Sequence, residues 1–157
     1  MSDFSHFDGN HKIQMVDVSH KTDTIRTATA QGEIFLDTAF EQAKINQLKK
    51  GDLISTIKIA GIQASKKTSE LIPLCHQLNL ASVFITCEFN DESKSLIVRS
   101  TVKTKAETGV EMEALTAVSV SLLTAYDMCK SVTKNLTIGN IRLIEKTGGK
   151  SGDYHAV

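Results

Sequence analysis

The stretch from residue 108 to residue 130, TGVEMEALTAVSVSLLTAYDMCK, constrains the fold of this chain more than any other feature. Apolar residues recur there at the spacing of one helix face: Val110, Leu115, Val118, Leu122, Tyr126 and Cys129. No proline interrupts the stretch, and Thr108 followed three residues later by Glu111 is the pattern of a capping box. We therefore predict one long helix here, with small residues along it that would let another element approach closely.

Size and composition set the broad class of the protein. The chain has 157 residues, 41% hydrophobic and 23% charged, with a formal net charge of zero. Such a chain is typical of one soluble globular domain, and the zero charge gives no reason to expect nucleic acid or a membrane surface as a partner. The three cysteines are an odd number without paired spacing, which is typical of the reducing cytoplasm. We predict a single domain over 1–157 with mobile ends at 1–12 and 150–157, located in the cytoplasm.

The other periodic segments predict the fold class. In chain order they are a strand at 15–19, a strand at 26–35, a helix from Asp37 to about Gln47, a helix capped by Asp52 and ended by Pro73, a hairpin of 82–89 with 95–105, and, after the long helix, a strand at 141–145. This order favours an α+β fold. We predict a ferredoxin-like antiparallel sheet with helices packed on one face.

Charged residues at both ends of the long helix, and one lysine before the preceding helix, are candidates for chemistry. Asp127 and Lys130 share a helix face, as a surface ion pair or as a functional pair. Lys50 precedes a helix N-terminus, where a partly desolvated lysine would have a lowered pKa and a solvated turn lysine would not. Glu111 and Glu113 point about 200° apart on a helix, so they would form one carboxylate pair only if the helix started late.

Two further motifs are less specific. In Cys75-His76, adjacent side chains of an extended segment point apart, so mutual activation is not expected. No paired Cys or His spacing predicts a metal site. The glycine-rich segment 148–152 fails as a phosphate loop of the Walker type, because Ile144 stands at its first glycine and no helix follows. With Lys146 and Lys150 it is either a phosphate-wrapping loop or a flexible basic tail.

Four segments together resemble a known family. They are MVDVS (15–19), AGIQASKKTSELIPLCHQL (60–78), TGVEMEALTAVSVSLLTAYDMCK (108–130) and KTGGKSGD (146–153). In order and spacing, over nearly the whole chain, they are similar to the MoaC family, the cyclic pyranopterin monophosphate synthases of molybdenum cofactor biosynthesis. Gln77 departs from the proline usual in that family, and Glu107 from a basic or neutral polar residue.

The resemblance implies a lyase. Members convert 3′,8-cyclo-7,8-dihydroguanosine 5′-triphosphate to cyclic pyranopterin monophosphate and release diphosphate. By resemblance, the catalytic residues are Asp127, Lys50 and Lys130. The substrate-binding residues are Leu74, Cys75, His76, Met112, Glu113, Glu111, Arg26, Lys66, Lys146 and Lys150. No redox cofactor and no protein-bound metal is implied, although magnesium would be compatible with the substrate phosphates.

The resemblance also implies dimers that assemble into a hexamer, with sites at the dimer interface. The predicted helix independently points to shared sites, because it would hold Glu113 and Asp127 roughly 21 Å apart at about 1.5 Å per residue. Two other functions stay open at this point. One is a non-catalytic nucleotide-binding or sensing module, and the other is a thiol-dependent hydrolase that uses Cys75.

Overall fold

The computed structural model describes residues 13–150 and 152–156. The strands are β1 (Thr24–Phe35), β2 (Leu80–Asn90), β3 (Ser95–Ala106), β4 (Thr137–Thr147) and β5 (Tyr154–His155). The helices are α1 (Phe40–Lys44, after a 3₁₀ turn at Asp37–Ala39), α2 (Leu53–Lys66), α3 (Thr68–Leu71) and α4 (Glu111–Cys129). None of the helices in the described ranges has the length and hydrophobicity needed to span a bilayer.

All five strands form one antiparallel sheet in the order β2-β3-β1-β4-β5. The succession β1, α2, β2, β3, α4, β4 with this strand order is the ferredoxin-like arrangement. The predicted α+β fold is therefore confirmed. The short β5 was not predicted from the sequence, and it pairs with the end of β4 through Glu145 and Lys146.

One face of the sheet carries the core. Ala28, Ala30 and Ile34 of β1 are buried on that face, under α4. Between them lies Gly32, where an added Cβ would be 2.8 Å from the side chain of Leu122 and 3.0 Å from that of Val118. Glycine at this position therefore lets α4 lie directly against the central strand.

Helices α2 and α4 pack against each other in opposite directions. The Ser121 hydroxyl of α4 donates to the Ile57 carbonyl of α2 at 2.9 Å. One turn further along α2, a Cβ at Gly61 would lie 3.0 Å from the Ala117 carbonyl. Two of the small residues predicted to admit another element, Ala117 and Ser121, thus contact α2 of the same chain. This packing brings the start of α2 to the end of α4.

Two predictions made from local pattern are wrong. Helix α4 begins at Glu111, with Val110 at the N-cap and no side-chain capping bond, so Thr108 and Glu111 form no capping box. The Glu111 carboxylate is instead paired with Lys146. Segment 15–19 forms no strand. Its Val16 carbonyl bonds the His76 ring instead of a neighbouring strand.

The remaining boundaries agree in part. Asp52 caps α2 by accepting from the Ser55 N–H at 2.6 Å, as predicted. Ile72 before Pro73 is extended, as predicted, but the helix already breaks at Lys67. The helix predicted from Asp37 is shorter, and Asp37 makes no capping bond. The predicted mobility of 1–12, and of residues 151 and 157, lies outside the described residues.

Candidate active site

A cavity of about 340 Å³ opens at the start of α4. This volume is within the range of small-molecule sites. Three stretches of chain line it: the loop after Pro73, the entry into α4, and the segment between residues 16 and 21. The lining residues are Val16, Val18, Lys21, Leu74, Cys75, His76, Leu78, Thr108, Gly109, Glu111, Met112 and Glu113. Six of the predicted substrate-binding residues are therefore brought together here: Leu74, Cys75, His76, Glu111, Met112 and Glu113.

Glu113 is the buried carboxyl of this cavity. The residue is 4% exposed, although it lies in the first turn of α4. Burial raises the pKa of Glu113 above its usual value, and the neighbouring Glu111 charge raises it further. A carboxyl with a raised pKa can both give and take a proton closer to neutral pH, which suits acid–base chemistry.

Glu111 reaches away from the helix axis toward β4. Its Oε1 lies 3.0 Å from the Lys146 ammonium, and both side chains are about three-quarters buried. Lys146 stands opposite Ala28 of β1, whose side chain faces the helices, and strand alternation accordingly puts Lys146 on the same face. Gly109 makes the arrangement possible, since a Cβ there would clash with the Glu111 carboxylate.

His76 and Cys75 bring different chemical groups to the cavity: a hydrogen-bonded imidazole ring and a thiol. His76 Nε2 lies 2.8 Å from the Val16 carbonyl, and because a carbonyl only accepts, Nε2 carries the hydrogen. In the neutral ring Nδ1 is then the acceptor. Burial, followed by the Glu113 charge, raises the pKa of the Cys75 thiol. This thiol therefore lacks the lowered pKa that is typical of a nucleophilic cysteine.

A second cluster lies at the opposite end of α4. The Asp127 carboxylate receives the Lys50 ammonium at 2.6 Å on Oδ2 and the Lys130 ammonium at 2.7 Å on Oδ1. Hydrogen bonds from Lys130 and then Lys50 lower the pKa of Asp127 to about 2, and Asp127 in turn raises the pKa of Lys130. Two cations on one carboxylate leave a net positive charge, and all three side chains are exposed enough to meet an anionic ligand.

In one chain these two groups are separate half-sites. We call the cavity around Glu113 the cavity half-site, and Lys50, Asp127 and Lys130 the lysine half-site. Helix α4 is continuous from Glu111 to Cys129. At about 1.5 Å per residue it holds Glu113 and Asp127 roughly 21 Å apart. Because α2 packs antiparallel to α4, Lys50, which lies just before α2, reaches the far end of α4 although it is distant in sequence.

The other predicted cations lie outside the cavity lining. Arg26 donates from Nε to the Ala106 carbonyl at 2.9 Å and from Nη2 to the Glu107 carbonyl at 2.8 Å. Gly149 lies against the same guanidinium, where a Cβ would clash. Arg26 therefore supports the glycine-rich loop and the approach to α4. Lys66 and Lys150 are exposed. Within the described ranges, no group of three or more His, Cys, Asp or Glu side chains is placed to hold a metal ion.

Sequence reasoning missed the segment that supplies Val16, Val18 and Lys21 to the cavity. The MVDVS motif was the available signal, but its alternating pattern was interpreted as a strand. In the structure the alternation has another cause, because Val16 and Val18 both line the cavity.

We expect Glu113→Gln to stabilise the fold at pH 7 more than at pH 4. The folded-state pKa of Glu113 is raised, so its contribution to stability is present below the unfolded-state value near 4.5 and is lost as pH rises through the folded-state value. Glutamine keeps the shape and cannot ionise. Thermal unfolding of both proteins should show a gain of a few degrees at pH 7 that shrinks toward pH 4. An equal gain at both pH values would contradict the raised pKa.

Comparisons with known proteins point to one family. The model of the MoaC family matches residues 15–149. The chain is 48% identical over 157 residues to the cyclic pyranopterin monophosphate synthase of Geobacillus kaustophilus, covering 98% of this chain and 97% of that one. It is 49% identical over 156 residues to the protein of that name from Heliobacterium modesticaldum, covering 98% of each. A third such synthase, from Nostoc sp., is 49% identical over 154 residues, covering 98% of this chain and 92% of that one. The chain belongs to the MoaC family.

Proposed function

We propose that this protein is a cyclic pyranopterin monophosphate synthase, acting in molybdenum cofactor biosynthesis. It converts 3′,8-cyclo-7,8-dihydroguanosine 5′-triphosphate to cyclic pyranopterin monophosphate and releases diphosphate. The observation that carries the proposal is the family match from residue 15 to residue 149, supported by near-half identity to synthases of that name over almost the whole chain.

The lysine half-site suits the part of the substrate where negative charge develops during the reaction. Closing a cyclic phosphate at the α-phosphorus expels diphosphate, so negative charge grows on the leaving oxygens. Lys50 and Lys130 are positioned by one carboxylate at 2.6 and 2.7 Å, and preorganised cations of this kind stabilise such charge. In this proposal Asp127, held ionised by its two lysines, orients them, and the lysines move protons or neutralise charge.

The cavity half-site suits the purine-derived ring. Ring rearrangement needs proton transfer at nitrogen, oxygen and carbon atoms, and donors along a guanine edge need acceptors. Glu113, whose pKa is raised by burial, and the acceptor nitrogen of His76 supply groups of the right kind. Leu74, Cys75 and Met112 give the apolar wall. Lys146 and Lys150, with the glycine-rich loop on Arg26, are assigned to the phosphates.

The complete site requires both half-sites, so we propose that it forms between subunits of a homodimer. Two-fold symmetry would put the cavity half-site of one subunit beside the lysine half-site of its partner, twice per dimer. Exposed apolar side chains near each half-site support such contact: Met112 at 37% beside the cavity and Leu123 at 60%, one turn before Asp127. Dimers assembling into a hexamer, and a cytoplasmic location, are part of the same proposal.

We propose no role for a redox cofactor in this chemistry. Magnesium, where it takes part, is expected to enter on the substrate phosphates, since magnesium is commonly held by phosphates with one or two carboxylates.

The test is turnover by the purified protein. Incubation with the cyclic guanosine triphosphate intermediate should yield diphosphate and a pterin-forming product in equal amounts. The competing function, a nucleotide-binding or sensing module without catalysis, predicts saturable binding of the same compound with neither product. That second result would overturn the proposal.

Cys75→Ser separates the synthase from a thiol-dependent hydrolase. We expect turnover within about tenfold of the unsubstituted protein, because the Cys75 thiol has a raised pKa and is not the nucleophile. Removing a true nucleophile typically costs several orders of magnitude. Steady-state assay of the serine variant decides, and a loss of that size would favour the hydrolase.

The basic loop should act mainly in binding. Replacing Lys146 and Lys150 together by alanine is expected to raise KM by about 100-fold or more. Each charge-assisted contact to phosphate contributes about 1.5–3 kcal/mol, or roughly 10- to 100-fold, and two contacts are lost. The effect on kcat should be much smaller. Steady-state kinetics measures both, and an unchanged KM would make this loop an ordinary tail.

A further inference from the structure

The segment from Val16 to Lys21 has no role in the function proposed so far, although it forms one wall of the cavity half-site. His76 anchors its start by donating to the Val16 carbonyl at 2.8 Å. Two turn bonds shape the rest. Asp17 Oδ1 accepts from the Ser19 N–H at 2.9 Å, and the Val18 carbonyl accepts from the Lys21 N–H at 2.9 Å. These bonds direct the end of the segment back to the cavity, where Lys21 lines it.

We propose that Lys21 binds the phosphate oxygens of the substrate at the mouth of the cavity half-site. The inference rests on the proposed synthase function and adds a residue to it. An ammonium group only donates hydrogen bonds, so its partner on a ligand is an anion or another acceptor. Among the described residues that line the cavity, Lys21 is the only lysine or arginine.

Its pairing state distinguishes Lys21 from three of the cations assigned to this reaction. Lys50 and Lys130 are held by Asp127, and Lys146 is held by Glu111. Within residues 13–150 and 152–156 the Lys21 ammonium has no carboxylate within ion-pair distance, although Glu111 and Glu113 line the same cavity. When a substrate triphosphate binds Lys21, no ion pair within these residues therefore has to be broken.

Asp17 is a positioning residue for Lys21. It does not line the cavity, and its carboxylate acts on the backbone of the turn that carries the lysine. The Ser19 N–H, bonded to Asp17, lowers the pKa of that carboxyl. An asparagine at this position keeps an acceptor oxygen for Ser19, whereas alanine does not.

The experiment compares Lys21→Ala and Lys21→Arg with Lys103→Ala. Lys103 is an exposed lysine of β3 that pairs across the sheet with Thr27 and does not line the cavity, so it controls for loss of one positive charge. We expect Lys21→Ala to raise KM for the triphosphate roughly tenfold with kcat nearly unchanged, as for the loss of one charge-assisted bond. Lys21→Arg and Lys103→Ala should stay near the unsubstituted KM. Inorganic diphosphate is the second probe, and calorimetry should show its affinity falling in Lys21→Ala by a similar factor.

Asp17 variants test the positioning. Asp17→Ala should raise KM in the same direction, Asp17→Asn should restore it, and Asp17→Ala combined with Lys21→Ala should be no worse than Lys21→Ala alone. Unchanged KM and unchanged diphosphate affinity in Lys21→Ala would overturn the inference. So would a fall in kcat at constant KM, which would make Lys21 a proton-transfer group. If the unsubstituted protein had no turnover, the synthase proposal would fail, and the diphosphate measurement would still decide whether Lys21 binds phosphate.

Discussion

Replacing Lys50 or Lys130 by alanine should lower kcat by about a thousandfold or more while the fold persists. Removing one preorganised group that stabilises developing negative charge typically costs 10²- to 10³-fold, and a lost proton-transfer role adds to this. The fold should survive because exposed ion pairs contribute only about 0–1 kcal/mol to stability. Steady-state assay with thermal unfolding of each variant measures both effects.

Lys44→Ala is the matched control for this prediction. Lys44 and Asp91 form another lysine–aspartate pair, at 2.6 Å and with similar exposure, but they belong to neither half-site. Its loss should leave turnover near that of the unsubstituted protein. Lys50→Arg is the sharper variant, because a guanidinium keeps the charge and does not release a proton near neutral pH. We expect Lys50→Arg to be inactive. Full turnover in an alanine variant would remove that lysine from the mechanism, and full turnover in Lys50→Arg would limit Lys50 to electrostatics.

Much of the fold could be predicted because its main elements have strong periodic patterns. The hairpin predicted as 82–89 with 95–105 is β2 with β3, and the helix predicted over 108–130 is α4 at Glu111–Cys129. The errors lie where a distant residue decides local structure. Glu111 fits a capping box by spacing, but Lys146 from β4 offers its carboxylate a cation at 3.0 Å. No local pattern contains that information.

The residues of the candidate site could largely be predicted from the sequence, but the way in which the fold brings them together could not. Resemblance supplied Lys50, Asp127 and Lys130, and only the antiparallel packing of α2 on α4 explains why Lys50 is 2.6 Å from Asp127. Lys21 was missed because a lysine in a polar turn has no distinguishing sequence signal. Its place depends on the bond between His76 and Val16, which joins parts of the chain 60 residues apart.

The geometry of α4 leads to a shared active site by a different argument from the one that the sequence suggested. Small residues such as Ala117 and Ser121 were expected to let another element approach closely, and α2 of the same chain already contacts them. The remaining argument for a shared site is the distance between Glu113 and Asp127. The helix is unbroken, and it holds Glu113 and Asp127 roughly 21 Å apart, much farther than the reacting ring and α-phosphate of one substrate. A partner subunit running in the opposite direction would bring the two half-sites together.

Mixing inactive Glu113→Ala protein with inactive Asp127→Ala protein should therefore restore activity. In a mixed dimer one site combines both damaged half-sites, and the other combines two intact ones. With equal amounts and free exchange, half of the dimers are mixed, so about a quarter of the unsubstituted activity should return. Recovery should follow the appearance of mixed dimers, measured by native mass spectrometry.

The matched control mixes Asp127→Ala with Lys130→Ala. Both substitutions lie in the lysine half-site, where Asp127 and Lys130 are 2.7 Å apart in one chain. Every site of a mixed dimer then has a damaged lysine half-site, whichever chain supplies it, so no activity should return. Recovery in the first mixture and not in the second would require that Glu113 and Asp127 of one site come from different subunits. No recovery in the first mixture, with mixed dimers present, would mean that each site is built from one chain, and α4 would then have to bend or break to bring its two ends together.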